Sequence, residues 1–221
     1  MQRSLTLYDA TIGKKAVVAL TGIVLFGFVI AHMLGNLQVF LGREALNAYA
    51  RNLRQVPALL WFARLVLLGS VLAHITASLQ LVRAAQVARP IAYRQKKSIA
   101  TSYAARTMKI SGPLLGAFIV YHLAHLTVPG VSMGAYPHDP HDVYANLVHG
   151  FQVPWVTGIY VVAQCLLGAH LYHGGWSLFQ TLGLSHPRYD QWRARLPRAV
   201  AVLVVLGNLS IPLAVLTGIV R

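Results

Sequence analysis

The sequence contains few acidic residues and little charge of any kind. Of its 221 residues 11% are charged, and five Asp or Glu stand against 19 Lys or Arg, for a formal net charge of +14. A soluble domain of ordinary composition is about 25% charged. A nucleic-acid-binding domain with this positive surplus would not also be 56% apolar. The composition therefore excludes both classes and indicates a multi-spanning membrane protein with no nucleic-acid partner.

Cysteine is nearly absent, since Cys165 is the only one in the chain. A single thiol cannot form a disulfide framework, a CxxC zinc site or an iron–sulfur cluster held by cysteines. Histidine, by contrast, is abundant, because ten occur in this very apolar sequence.

Five apolar runs are long enough to cross about 30 Å of hydrocarbon at about 1.5 Å per residue. They predict an all-α integral membrane bundle of five transmembrane helices, in a single domain over residues 1–221. The predicted spans are 15–37, 57–83, 108–128, 154–178 and 198–220. Prolines at or near four of the starts support these boundaries, because the first helical turn does not need its N–H groups. These prolines are Pro57, Pro113, Pro154 and Pro197.

The distribution of basic residues predicts a cytoplasmic N-terminus and an external C-terminus. In this orientation the inner segments contain most of the Lys and Arg, including Lys14, Lys15 and the run RPIAYRQKK at 89–97. That run either docks a partner or only sets the membrane topology and attracts anionic lipid. The outer loop 130–153 has no Lys or Arg, and its prolines predict an ordered turn rather than a helix.

Six histidines lie inside the predicted spans, where such side chains rarely face lipid and mark a site by default. Counted from the inner ends, His32 and His122 lie toward the outer leaflet, and His74 and His170 toward the inner one. The two layers are separated by roughly 10 Å. Such pairs fit two bis-histidine haems, because a flat macrocycle needs one axial imidazole from each side. Zinc is the competing metal, but a zinc site would need three or four ligands at one depth, and the two-layer arrangement argues against it.

Two more histidines share a helical face with proposed ligands, since His125 follows His122 and His173 follows His170 by three residues. Each is a candidate ligand, haem-propionate donor or quinone contact, and periodicity does not choose between the members of each couple. Arg64, inside the second span, either pairs with a propionate or quinone oxygen or snorkels to the outer surface. Weaker quinone candidates at the outer level are Glu44, Tyr121 and Trp155.

Four stretches together resemble the cytochrome b membrane-anchor subunit of bacterial succinate dehydrogenases and fumarate reductases, in its single-chain, five-helix, di-haem form. They are HMLGNLQVFLG from His32, ARPIAYR after the second span, FIVYHLAHLT around His122 and HLYHGGWSLFQTLG from His170. The resemblance covers essentially the whole chain, in order. Each motif is short, so the specificity lies in the set.

This resemblance implies a subunit of the bacterial cytoplasmic (inner) membrane that has no dehydrogenase site of its own. Such a subunit anchors a flavoprotein and an iron–sulfur subunit on the cytoplasmic face and exchanges electrons with a membrane quinone, usually menaquinone in the di-haem form. It implies axial ligands at His32, His74, His122 and His170, with His74 and His170 holding the proximal haem. Some such fumarate reductases use an intramembrane acidic residue for proton movement. No Asp or Glu lies in any predicted span here, so this coupling is in doubt.

Two other functions are compatible with the same pattern. The first is a di-haem anchor of another respiratory oxidoreductase, such as a nitrate reductase or a hydrogenase, with the same helix count and ligand type. The second is a histidine-rich transporter or proton conductor that has no prosthetic group. The colour of a reduced membrane extract separates the second from the haem proteins, because a haem-free protein has no b-type absorption band.

Overall fold

A computed structural model of the chain describes residues 8, 10–88, 103–128, 138–184 and 186–221. Every regular element in these ranges is helical, as the apolar runs predict. The helices are α1 (Thr11–Asn36), α2 (Arg43–Arg54), α3 (Pro57–Val87), α4 (Tyr103–Leu126), α5 (Val143–Phe151), α6 (Pro154–Thr181) and α7 (Asp190–Leu216). Short 3-10 helices extend α1 over Leu37–Leu41 and precede α7 over Pro187–Tyr189.

Four helical segments within the described ranges are long and apolar enough to cross a membrane. They are Thr11–Leu41, Pro57–Val87, Pro154–Thr181 and Pro187–Leu216. The remaining long helix, α4, is not among them. It carries Lys109, His122 and His125, and these polar side chains lower its mean hydropathy. The membrane character of the chain is thus supported, whereas a fifth span stays a prediction.

The prolines identify two helix starts correctly and two wrongly. Helices α3 and α6 begin at Pro57 and Pro154, as predicted. Pro113 and Pro197 lie inside α4 and α7 instead, so both helices begin before the predicted positions 108 and 198. An internal proline removes one backbone hydrogen bond, and in membrane helices neighbouring groups can satisfy the carbonyl that is left.

The prediction of a non-helical loop over 130–153 is wrong for its second half, which forms α5. Asp142 caps this helix, because its carboxylate accepts a hydrogen bond from the Ala145 N–H at 3.0 Å. The helix also buries Leu147, Val148 and Phe151 against the bundle. Pro140 precedes the helix and so does not interrupt it. The first part of the loop, 130–137, lies outside the described residues.

The long helices form two groups that are joined through α1. Helix α1 packs along α3, while α6 packs between α4 and α7. Helix α1 also contacts α6 and α7, through a core cluster that contains Met33, Leu171, Ala201 and Val204. A Cβ on Gly207 would collide with Met33, so α1 and α7 approach closely at this point. The α1–α3 pair and the group of α4, α6 and α7 therefore meet where α1 approaches α6 and α7.

Helices α2 and α5 cover one end of the bundle. Arg43 of α2 forms an ion pair with Asp142, which also accepts a hydrogen bond from Asn47 Nδ2 at 2.9 Å. The Tyr144 hydroxyl of α5 donates to the Arg221 carbonyl oxygen at 2.9 Å, so the end of the chain joins this cap. We call this unit of α2, α5 and the last residues the end cap.

The opposite end of the bundle carries a second set of polar contacts. The Tyr8 hydroxyl donates to Gln80 Oε1 at 3.0 Å, which ties the start of α1 to the end of α3. The Arg193 guanidinium lies 4.5 Å from the centre of the Trp176 ring and 2.8 Å from Asp190 Oδ1. The basic run at 89–97 lies outside the described residues.

Candidate functional site

Two histidines on different helices meet near the end cap. The ring centres of His32 on α1 and His122 on α4 are 5.8 Å apart, with an angle of 89° between the ring planes. Phe28 stacks on His32 at 5.3 Å, and Phe118 lies 5.8 Å from His122. The first predicted pair is thus brought together in an aromatic setting that limits how far either ring can turn.

The other two predicted ligands meet at the second level. The ring centres of His74 on α3 and His170 on α6 are 6.3 Å apart, and the ring planes make an angle of 56°. His74 Nδ1 lies 3.1 Å from the Thr21 hydroxyl oxygen of α1. The structure therefore joins four histidines from four helices into two pairs, with the pairing that the depth count predicts.

The separation of the two levels follows from contacts along two helices. On α1, Thr21 marks the His74 level and lies eleven residues before His32, which is about 16 Å at about 1.5 Å per residue. On α6, Tyr160 contacts His122 and lies ten residues before His170, which is about 15 Å. These lengths of helix exceed the roughly 10 Å predicted from the depth count, which takes all spans to end in common planes.

The helices that carry each pair do not pack closely on each other. In the described ranges α1 does not pack closely along α4, nor does α3 along α6. None of the four paired histidines is fully buried, and His32 retains an exposed surface although two rings lie against it. A Cβ built on Gly174, one turn after His170, would meet no atom within 4 Å. At each pair the two helices therefore meet through side chains rather than through closely packed backbones.

The ring separations fit two imidazoles on one metal ion. A coordinating nitrogen lies about 2 Å from its metal and about 1 Å from its own ring centre, which places two axial ring centres about 6 Å apart. The two measured separations, 5.8 and 6.3 Å, bracket this value. His170 Nδ1 is also buried without a hydrogen-bond partner. Within the described ranges no three His, Cys, Asp or Glu side chains converge on a single metal position.

His125 has a different environment from His122, although both lie on one face of α4. His125 is buried, and its Nδ1 lies 2.9 Å from the Tyr160 hydroxyl oxygen. A Cβ on Gly150 would come within 2.6 Å of His125 Nε2, so α5 closes over this ring. His122 is thus the histidine of α4 that meets His32. On α6, His173 is half-buried, and the ring that meets His74 is that of His170.

Tyr160 is a component of the site that the sequence analysis missed. Its side chain is 5% exposed, and its hydroxyl oxygen lies 3.1 Å from His122 Nδ1 and 2.9 Å from His125 Nδ1. The ring also packs edge-on against Phe118 and Phe151. A tyrosine in an apolar span looks like an ordinary packing residue, so no signal within α6 alone could have identified this contact.

We expect Tyr160→Phe to destabilise the chain by about 1 to 3 kcal/mol, because it leaves the Nδ1 atoms of the buried His125 and the part-buried His122 without this partner. Thermal unfolding of the detergent-solubilised protein measures the change. Tyr189→Phe is the matched control, since Tyr189 is 57% exposed and little effect is expected there. Equal unfolding temperatures for the two variants would contradict the assignment of a structural role to the Tyr160 hydroxyl.

The remaining candidates are not members of the two pairs, although Tyr121 packs beside the His122 pair. Arg64 is exposed, and its guanidinium lies 5.0 Å from the centre of the Trp61 ring on the same helix. Glu44 is exposed in the end cap and accepts a hydrogen bond from Arg51 at 2.5 Å. Trp155 is exposed at the start of α6. Tyr121 stacks on His125 at 5.8 Å, and its hydroxyl is buried without a hydrogen-bond partner.

Comparisons of the chain with protein-family models, with curated proteins and with solved structures give no match. The functional interpretation therefore depends on the sequence and on the geometry of the two histidine pairs.

Proposed function

We propose that the chain is a di-haem cytochrome b membrane-anchor subunit of a succinate:quinone oxidoreductase. One observation carries the proposal. Four histidines, one on each of four long helices, form two pairs with ring centres 5.8 and 6.3 Å apart at two levels of the bundle. Histidines that only serve helix packing have no reason to meet in twos between helices that do not pack closely on each other. Two bis-histidine haem sites account for this pairing.

The residues of the chain have distinct roles in this proposal. His32 and His122 hold the distal haem, and His74 and His170 hold the proximal one. When bound, each haem iron supplies one-electron chemistry that the protein side chains lack. The imidazoles fix the position of the macrocycle, and the aromatic rings of Phe28 and Phe118 pack beside the distal ligands.

The topology in this proposal has five spans, with the N-terminus in the cytoplasm. Helix α4 carries His122, which meets His32 of α1. Because α1 is long and apolar enough to cross the membrane, this contact supports α4 as the remaining span. The charge distribution supports the inner location of the start of α1 and of the segment after α3. Because the chain has one cysteine, its electrons come from or go to an iron–sulfur partner on this inner face.

The far end of the electron path in this proposal is a membrane quinone, with menaquinone as the expected species. The resemblance of the four sequence stretches supports a flavoprotein as the third component of the complex, and it supports the bacterial inner membrane as the location. Tyr121 and His125 are the strongest of the candidate quinone contacts, because both rings lie beside the His122 end of the bundle.

Purification of the affinity-tagged chain from native membranes tests this function. We expect a flavoprotein with covalent flavin and an iron–sulfur protein to co-purify, and succinate to reduce the b-type absorption of the complex. A molybdenum or nickel subunit instead would assign the chain to another respiratory oxidoreductase. A haem-free preparation without protein partners would support a transporter and contradict the proposal.

A further inference from the structure

One of the four paired histidines is fixed by a side chain from a neighbouring helix. The Thr21 hydroxyl oxygen of α1 lies 3.1 Å from His74 Nδ1 of α3. The same hydroxyl donates to the Val17 carbonyl oxygen at 2.6 Å, with a longer contact to the Val18 carbonyl oxygen at 3.3 Å. A hydroxyl has a single hydrogen and two acceptor lone pairs. Because that hydrogen points at the backbone, the oxygen is left to accept a hydrogen bond from His74.

This arrangement favours one tautomer of His74. A neutral imidazole carries one N–H, and the Thr21 oxygen, together with the Val18 carbonyl that also interacts with this ring, favours its placement at Nδ1. Nε2 then keeps its lone pair, which is the form that can bind a metal ion. The His170 ring comes from α6, not from α1, and its centre lies 6.3 Å from that of His74. With the proton on Nδ1, Nε2 is the nitrogen of His74 that is left to bind a metal between the two rings.

We propose that Thr21 is a positioning residue that fixes the Nδ1-protonated tautomer of His74 and thereby presents Nε2 of this ligand to the proximal haem iron. This inference rests on the proposed function. Histidine ligands commonly donate their second N–H to an outer partner, which orients the ring and raises its basicity. A more basic ligand stabilises oxidised iron, so the Thr21 contact lowers the reduction potential of this haem.

The other histidine of this pair lacks such support. His170 Nδ1 is buried and has no hydrogen-bond partner. Thr21 is therefore the side chain that supports a ligand at the inner level. An ordinary role for Thr21 would be the bond from its hydroxyl to the backbone four residues earlier, which threonine often forms in helices. That bond explains the contact with Val17 but not the placement of the same oxygen against His74.

Thr21→Val and Thr21→Ser form a matched pair of variants, because valine keeps the shape and removes the hydroxyl, while serine keeps the hydroxyl. We expect Thr21→Val to raise the midpoint potential of one of the two haems by about 59 mV, which is a tenfold change in a one-electron equilibrium. The low-spin EPR signal of the same haem should shift. The other haem should keep its potential and signal, and Thr21→Ser should match the wild type in both measurements.

Each other outcome overturns either this inference or the proposed function. Wild-type potentials in Thr21→Val, or equal shifts in Thr21→Ser and Thr21→Val, would show that the hydroxyl does not act through His74. If Thr21→Val loses one haem, retention of both in Thr21→Ser still assigns the effect to the hydroxyl, whereas loss in both variants assigns it to packing and overturns the inference. A wild-type chain that binds no haem would refute the proposed function before any variant is compared.

Discussion

His74→Ala or His170→Ala removes one haem and leaves the other spectroscopically intact. Each substitution deletes one of the two imidazoles whose ring centres are 6.3 Å apart, and a six-coordinate low-spin iron needs both. Conversely, His32→Ala or His122→Ala removes the other haem, because these two rings form the second pair at 5.8 Å. We expect haem content to fall from two per chain to about one in every case. Quantitative haem extraction and the low-spin EPR spectrum measure which haem is lost.

The chain offers matched controls for this series. His173→Ala and His125→Ala delete histidines three residues from a paired one, and both variants should keep two haems. His125→Ala removes a buried side chain, so its stability should fall even though its haem content does not. If His122→Ala keeps both haems and His125→Ala loses one, the ligand on α4 is His125, and the geometric pairing would be wrong.

The second large effect is expected in the end cap, where Asp142→Ala should destabilise the protein by about 2 to 4 kcal/mol. The Asp142 carboxylate accepts hydrogen bonds from the Asn47 side chain and the Ala145 N–H, and it pairs with Arg43. Its removal leaves the 8% exposed Asn47 amide without this acceptor and uncaps α5. Glu44→Gln is the control, because the Glu44 side chain is 84% exposed and such surface pairs contribute little. Denaturant midpoints in detergent measure both variants.

The same carboxylate predicts a dependence of stability on pH. Burial raises the pKa of Asp142, but the hydrogen bonds from Arg43, Asn47 and the Ala145 N–H, with the charge of Arg43, outweigh it and lower the pKa to about 2. A carboxyl group whose pKa is lower in the folded state stabilises that state when it is ionised. Its contribution is complete above its ordinary pKa of 3.8 and is lost as the pH falls toward 2. The stability difference between wild type and Asp142→Ala should therefore shrink between pH 5 and pH 2, and a constant difference would contradict this.

The sequence predicted the features that depend on one helix at a time. Apolar runs located the long helices, and the depth count paired His32 with His122 and His74 with His170, because helical rise converts residue number into height. The choice of His122 over His125 was not predictable. Both residues lie on one face of α4, and the geometry separates them through α5 and Tyr160, which belong to other parts of the chain.

The features that the sequence did not predict depend on contacts between segments. Helices α2 and α5 are short, so neither has the long apolar run that identifies a span, and the prolines before α5 predicted a turn in its place. Their mutual support comes from Asp142 and Asn47, whose interaction links positions 95 residues apart. The contacts of Thr21 and Tyr160 with histidines likewise cross between helices. The periodicity of a helix predicts which of its faces is buried, but it does not predict which atoms of a neighbouring helix contact that face.

Haem content of the purified wild-type chain, determined as the pyridine haemochrome against quantitative protein analysis, is the most direct measurement of the central claim. The two histidine pairs predict two b-type haems per chain, with the b-type absorption band appearing on reduction with dithionite. A folded, fully helical preparation with no such band would contradict the claim, because the paired imidazoles would then hold no iron.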